Sequence, residues 1–214
     1  MCETAAADGV THIVATPHCN DRYDFDRAAA LAMVEELAHR VPQIAFSLGC
    51  DFNLSYDNVK DAIRHPARYT IGETKYLLVE LSPYAAPNSM TTVLWELIKS
   101  GMVPIVTHPE RNSLLERRPD LLEEWIRIGC LVQITANSLT GAWGSAPKKF
   151  CERLLKNKQV HVVASDAHNA NRRPPILSAA RKVVSKLVGE EYARAFFFDN
   201  PLAIVSGQAV QLLE

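Results

Sequence analysis

Short β-branched runs alternating with amphipathic stretches constrain this chain more than any other feature. The runs are His12–Ala15, Ile44–Leu48, Tyr76–Leu81, Val103–Thr107, Leu131–Thr135 and Val160–Ala164. Helical periodicity covers Phe25–Arg40, with Leu31, Val34, Leu37 and Ala38 on one face, then Thr91–Ser100, Leu121–Ile128, Lys148–Lys156 and Pro175–Val188. A strand that feeds a helix and then another strand belongs to a parallel sheet, so the rhythm predicts an α/β fold. Gly9, Gly101 and Gly129 each stand shortly before a strand, where a helix C-cap with positive φ is expected. With 214 residues, 48% of them hydrophobic, one domain spanning 1–214 accommodates the whole pattern.

Each run ends in polar residues. His18 follows VATP, Asp51 follows LGC, Glu80 lies within VEL, His108 follows IVT, Thr135 and Asn137 follow VQI, and Asp166 and His168 follow VAS. In a parallel sheet these ends share the carboxyl-terminal rim, where residues from separate strands converge. The stretch VHVVASDAHN (160–169) is the densest, because Asp166 and His168 are two apart and share one side of an extended chain. Singly, each residue has a plain alternative: His18 and His108 border prolines and suit turns, Asp51 suits a cap near Tyr56, and Asp166 suits a loop cap with His168 at the surface. Together, His18, Asp51, His108, Asp166 and His168 have the ligand chemistry of a divalent metal site.

Two arginines accompany them. Arg111 follows His108 in THPERN, and Arg173 lies five residues after His168. A guanidinium fork matches phosphate oxygens bidentately, so these are candidate catalytic residues of a phosphomonoesterase in which metal-activated water is the nucleophile. The alternatives are a salt bridge from Arg111 to Glu110 or Glu116 and a solvated helix start at Arg173.

The strings ATPH (15–18), GCDF (49–52), VTHPERN (106–112), VQITANSLTG (132–141) and VASDAHN (163–169), in this order over nearly the whole chain, resemble the bacterial tyrosine-protein phosphatases of the PHP (polymerase and histidinol phosphatase) superfamily. The resemblance implies a distorted (β/α)7 barrel and a divalent metal cluster, most often manganese, with iron or zinc as alternatives. It also implies hydrolysis of phosphotyrosine on a bacterial tyrosine kinase that regulates capsular or exopolysaccharide synthesis. Carried over by position, His18, Asp51, His108, Asp166 and His168 resemble metal ligands, and Arg111 and Arg173 resemble phosphate-binding residues.

The chain departs from the family pattern in three places. Cys19 stands where a second His is usual after ATPH, and Asp51 stands where a Glu is usual. The family's opening strand with its HxH motif, and the DDG loop behind it, have no counterpart in this sequence. Met1–Asp8 reads as the last two turns of a helix, so the chain is expected to lack the first β/α unit of the barrel, through either an upstream start or a truncation.

A formal net charge of −1 gives no electrostatic footprint for nucleic acid or an anionic membrane, and no membrane-length apolar run is present. The five cysteines have no CxxC spacing and read as reduced thiols of a cytoplasmic protein. None is followed by arginine at C-x5-R spacing, which argues against a thiolate tyrosine phosphatase. Two other functions stay open: a metal-poor pseudoenzyme that binds phosphotyrosine without cleaving it, and a phosphoesterase acting on a small metabolite. Partners are then a phosphotyrosine protein and, if the chain self-associates, copies of itself. Trp95 and Trp125 are expected in the core, Trp143 either lines the substrate mouth or folds over the core, and His12, His39, His65 and His161 have no expected role in the site.

Overall fold

The structure, a computed structural model, describes residues 1–81, 87–211 and 213. Its strands are β1 (His12–Ala15), β2 (His18–Cys19), β3 (Ala45–Leu48), β4 (Asp51–Asn53), β5 (Tyr76–Glu80), β6 (Val103–Thr107), β7 (Leu131–Thr135) and β8 (Val162–Ala164). The α-helices are α1 (Cys2–Ala7), α2 (Arg27–Arg40), α3 (Tyr56–Arg64), α4 (Pro87–Lys99), α5 (Ser113–Arg117), α6 (Pro119–Arg127), α7 (Ala136–Thr140), α8 (Ser145–Lys156), α9 (Ser178–Val188), α10 (Glu190–Arg194) and α11 (Asn200–Val205). Gly9, Gly101 and Gly129 have φ of 91°, 90° and 111°, as helix C-caps require.

All strand pairs are parallel. β2, β4, β5, β6, β7 and β8 form one sheet in that order, and β1 pairs with β3 alone. The α/β class expected from the sequence is therefore present. Among the described residues β2 and β8 are not paired with each other, so the strands form an open sheet and not a closed seven-unit barrel. The eight strands trace six lines, because the first two expected runs each extend beyond a break: β1 resumes as β2 and β3 resumes as β4. Proline accounts for the interruption. Gly49 N–H reaches Ala15 O at 2.8 Å and Asp51 N–H reaches Pro17 O at 2.9 Å, but Pro17 has no N–H to return. Gly49 holds the second break, where a Cβ would meet Ile71 Cγ1 at 2.9 Å.

Alternation along the strands divides the core in two. Tyr76, Leu78, Ile105, Leu131 and Val162 pack with Ile71 and Ile204 on the inner face. Leu77, Val79, Val106, Val132, Ile134 and Val163 join the larger cluster beneath the helices. Continuing the inner series from Tyr76 and Leu78 by two more residues places Glu80 at the rim.

Some expectations change in detail. Strand β8 begins at Val162 and not Val160: the His161 N–H donates to Val132 O at 3.0 Å, but the Val132 N–H is taken by the His161 Nδ1, also at 3.0 Å, and not by a backbone carbonyl. On α2, Val34 is buried, but Leu31 is exposed. Trp125 is fully buried, its Nε1–H donating to Thr91 Oγ1 at 2.8 Å. Trp95 is instead 43% exposed, with Lys99 Nζ over its ring. The five cysteines are unpaired.

Candidate functional site

The site forms on the inner rim, where the strand ends converge. His18 and Asp51 are cross-strand partners on β2 and β4, and Asp51 pairs in turn with Leu78 of β5, two residues before Glu80. His18 Nδ1 lies 2.9 Å from Asp51 Oδ2 and 3.8 Å from Glu80 Oε2. From the next strand, His108 Nε2 lies 3.7 Å from Glu80 Oε1. One ligand atom each from His18, Asp51 and Glu80 fall within 4.8 Å of one another. Asp51 Oδ1 is buried without a hydrogen-bond partner, and His18 Nδ1, close as it is to Asp51, makes no aligned hydrogen bond. Buried polar atoms are seldom left in this state, and an imidazole with two carboxylates is a donor set that fits a divalent cation.

The charges around these groups are set by burial and by each other. The Asp51 carboxylate holds the His18 imidazole above its ordinary pKa against the opposing effect of burial, with help from Glu80 and Asp166. Burial, and then the neighbouring charge of Asp51, raises the Glu80 carboxyl. Burial, and then the positive charge of Arg111, pushes His108 down to about 4, so this imidazole is neutral at pH 7 and presents a lone pair.

Asp166 occupies the other side of the rim. Its Oδ2 is 2.8 Å from Arg111 Nη2 and is also paired with Arg173 Nη2. Both arginines therefore leave the alternatives considered from sequence, the acidic neighbours of Arg111 and the solvent around Arg173, and meet at one oxygen. His168 Nδ1 sits 3.0 Å from the Asp166 carbonyl, and its ring is 5.7 Å from that of His18, which joins the two halves of the site. His108 and Asp166 have left-handed backbones, with φ of 37° and 49°. Such conformations are uncommon for residues other than glycine, and strained residues of this kind cluster at functional sites.

Glu110, next to Arg111, is buried. Its Oε1 accepts the Thr135 N–H at 2.9 Å, tying the turn after β6 to the end of β7, and burial raises its pKa. Ser55 caps α3 by accepting the Asn58 N–H at 3.3 Å, so Asp51 is free of the capping role open to it from sequence.

All seven candidate residues thus lie on one rim. His18, Asp51 and His108 gather around Glu80, while Asp166 and His168 stand with Arg111 and Arg173. Sequence reading placed Glu80 among the strand-end polar residues but left it out of the ligand set, although its phase with Tyr76 and Leu78 was a usable signal. It left Trp143 between two positions; Trp143 lies at the site, its ring centroid 5.8 Å from Arg111 Cζ and 5.6 Å from Arg173 Cζ. Trp143 also walls a cavity of about 390 Å³ beside Arg111, with Ala146 and Pro147 as apolar neighbours.

Known proteins match both the sequence and the fold. CapC of Staphylococcus aureus is 33% identical over 182 residues, covering 83% of this chain and 71% of that protein. The tyrosine-protein phosphatase YwqE of Bacillus subtilis is 31% identical over 196 residues, 89% of this chain and 77% of its own. A solved chain from crystal structures of YwqE and of Streptococcus pneumoniae CpsB, described as unique metal-dependent tyrosine phosphatases, superposes with a TM-score of 0.92 at 28% identity. It covers 100% of this chain and 87% of the solved one. The model of the capsular polysaccharide synthesis family CpsB/CapC matches residues 1–206. The chain belongs to the CpsB/CapC family of capsular polysaccharide synthesis.

Proposed function

We propose that this chain, as a single PHP-type domain over 1–214, hydrolyses phosphotyrosine on proteins with the help of bound divalent metal. The supporting observation is the meeting, on one rim, of an under-bonded imidazole–carboxylate cluster with two arginines that converge on one carboxylate oxygen. The relatives described as metal-dependent tyrosine phosphatases point the same way. The substrate is a bacterial tyrosine kinase of capsule or exopolysaccharide synthesis acting in the cytoplasm; among the described residues no helix is long and apolar enough to cross a membrane.

In this reading His18, Asp51, Glu80, His108, Asp166 and His168 hold the metal, which is manganese, or iron or zinc in its place. Metal bound there supplies positive charge that polarises a phosphoryl oxygen and makes water more acidic. Arg111 and Arg173 bind the phosphoryl oxygens through their forked N–H groups and hold the phosphorus in line for attack. The negative charge that develops on those oxygens is matched by two guanidiniums fixed beforehand, so little reorganisation accompanies reaction. His108, kept neutral by burial, offers its Nε2 lone pair toward Glu80 and does not repel the metal.

The test compares hydrolysis of p-nitrophenyl phosphate, a phosphotyrosine peptide and histidinol phosphate, with added manganese and with chelator. Manganese-stimulated, chelator-sensitive turnover that favours the peptide is expected. Chelator-resistant turnover refutes the reading, peptide binding without turnover in saturating manganese selects the pseudoenzyme, and preference for histidinol phosphate selects the small-metabolite phosphoesterase.

A further inference from the structure

We infer that Trp143 is a positioning residue whose indole is the shared platform on which Arg111 and Arg173 are held as one phosphate clamp. The inference rests on the phosphate-binding reading of those two arginines. They come from separate parts of the chain, the turn after β6 and the loop after β8, yet both guanidiniums lie within cation–π range of the same ring, at 5.8 and 5.6 Å. Long arginine side chains have large rotamer freedom, so two of them from different loops share a geometry only when something holds both.

Two groups do so here, and they differ in what happens when substrate arrives. Asp166 Oδ2 braces the guanidiniums by accepting from both. A phosphoryl oxygen bound by the same N–H groups must displace or share that carboxylate. The indole attracts both guanidiniums through its π face, at 5.8 and 5.6 Å, and is not an acceptor that phosphate must displace, so its support of the clamp persists with phosphate in place.

The loop is built to present this ring. Trp143 is 41% exposed, so core burial does not account for its position. Gly141 and Gly144 flank it with φ of 87° and 94°, values that side-chain-bearing residues rarely adopt. The turn is closed by Gly144 N–H donating to Gly141 O at 3.0 Å and Ala142 N–H donating to Asn137 O at 2.9 Å.

The test uses the metal-loaded chain of residues 1–214 with Trp143→Leu and Trp143→Phe, and Arg111→Ala as reference. Leucine keeps apolar bulk without a π face, whereas phenylalanine keeps a face. The readouts are inorganic phosphate affinity by calorimetry, KM and kcat on a phosphotyrosine peptide, metal content and thermal midpoint. W143L is expected to weaken phosphate binding and raise KM by about tenfold each, the order of two part-exposed cation–π contacts, with kcat, metal content and midpoint much less affected. W143F is expected to stay within about threefold of the parent. Wild-type phosphate affinity and KM in W143L, while R111A weakens both, overturn the role of Trp143 and leave the clamp standing. If R111A also leaves both unchanged, the clamp reading fails and this inference falls with it.

Discussion

Glu80 Oε2 lies 3.8 Å from His18 Nδ1, although their strands are not neighbours: β4, carrying Asp51, runs between β2 and β5. Strands two apart are separated by roughly 10 Å in a flat sheet, a distance the two side chains close by leaning together over Asp51 on the inner face. Glu80 also approaches His108, at 3.7 Å, and so links the first and fourth strands of the sheet.

Glu80→Gln keeps the side-chain shape and removes the charge. Metal affinity is expected to fall by more than the ~10–100-fold typical of losing an outer-shell partner, with little change in thermal midpoint. Elemental analysis after manganese loading and dialysis measures this. Wild-type metal content at limiting manganese would exclude Glu80 from the site.

Asp8, at the end of α1, caps α9 from 169 residues away, its Oδ2 accepting the Leu177 N–H at 2.6 Å. The Ser178 N–H reaches the same oxygen at 3.0 Å. Burial alone works to raise the Asp8 pKa, but these hydrogen bonds and the Ser178 hydroxyl prevail and hold it below its ordinary value. Asp8→Ala is expected to cost about 1 kcal/mol, the usual value of a lost cap, lowering the thermal midpoint by about 2–4 °C. Asp8→Asn, which keeps an acceptor, is expected to lose less. Calorimetry of the two variants decides, and an unchanged midpoint in Asp8→Ala removes the cap from the account of stability.

His161 is buried, accepts the Val132 N–H through Nδ1, and has its pKa pushed down to about 4 by desolvation. Because the folded value lies below the unfolded one, the unfolded chain takes the proton first. The contribution to stability is therefore complete above about pH 6.5 and is lost as pH falls from there to about 4, in total roughly 3 kcal/mol at 1.36 kcal/mol per unit. His12 and His108, also lowered, add slope of the same sign. His161→Asn places an amide oxygen where Nδ1 accepts but cannot titrate, so a flatter dependence is expected in urea unfolding between about pH 7.5 and 4.5. Slopes that coincide with the parent's would count against this assignment.

The sequence by itself determined the local structure and the inventory of the site. Six β-branched runs became six lines of parallel strand, the C-cap glycines have the required positive φ, and the polar residues at strand ends came to one rim, because side-chain alternation and backbone preference act within a few residues. What only the tertiary structure decided involves groups distant in sequence. Pro17 and Gly49 break two strands where the sheets change, and the His161 imidazole replaces a backbone acceptor at the start of β8. Trp95 and Trp125 have the same helical setting in sequence, but only Trp125 faces the packed core. Glu80 reaches His18 across an intervening strand, and Arg111 and Arg173 converge on Asp166 and Trp143 from separate loops. These relationships depend on how strands are ordered and how loops fold over the rim, and that information lies in packing between elements, beyond the period of any one of them.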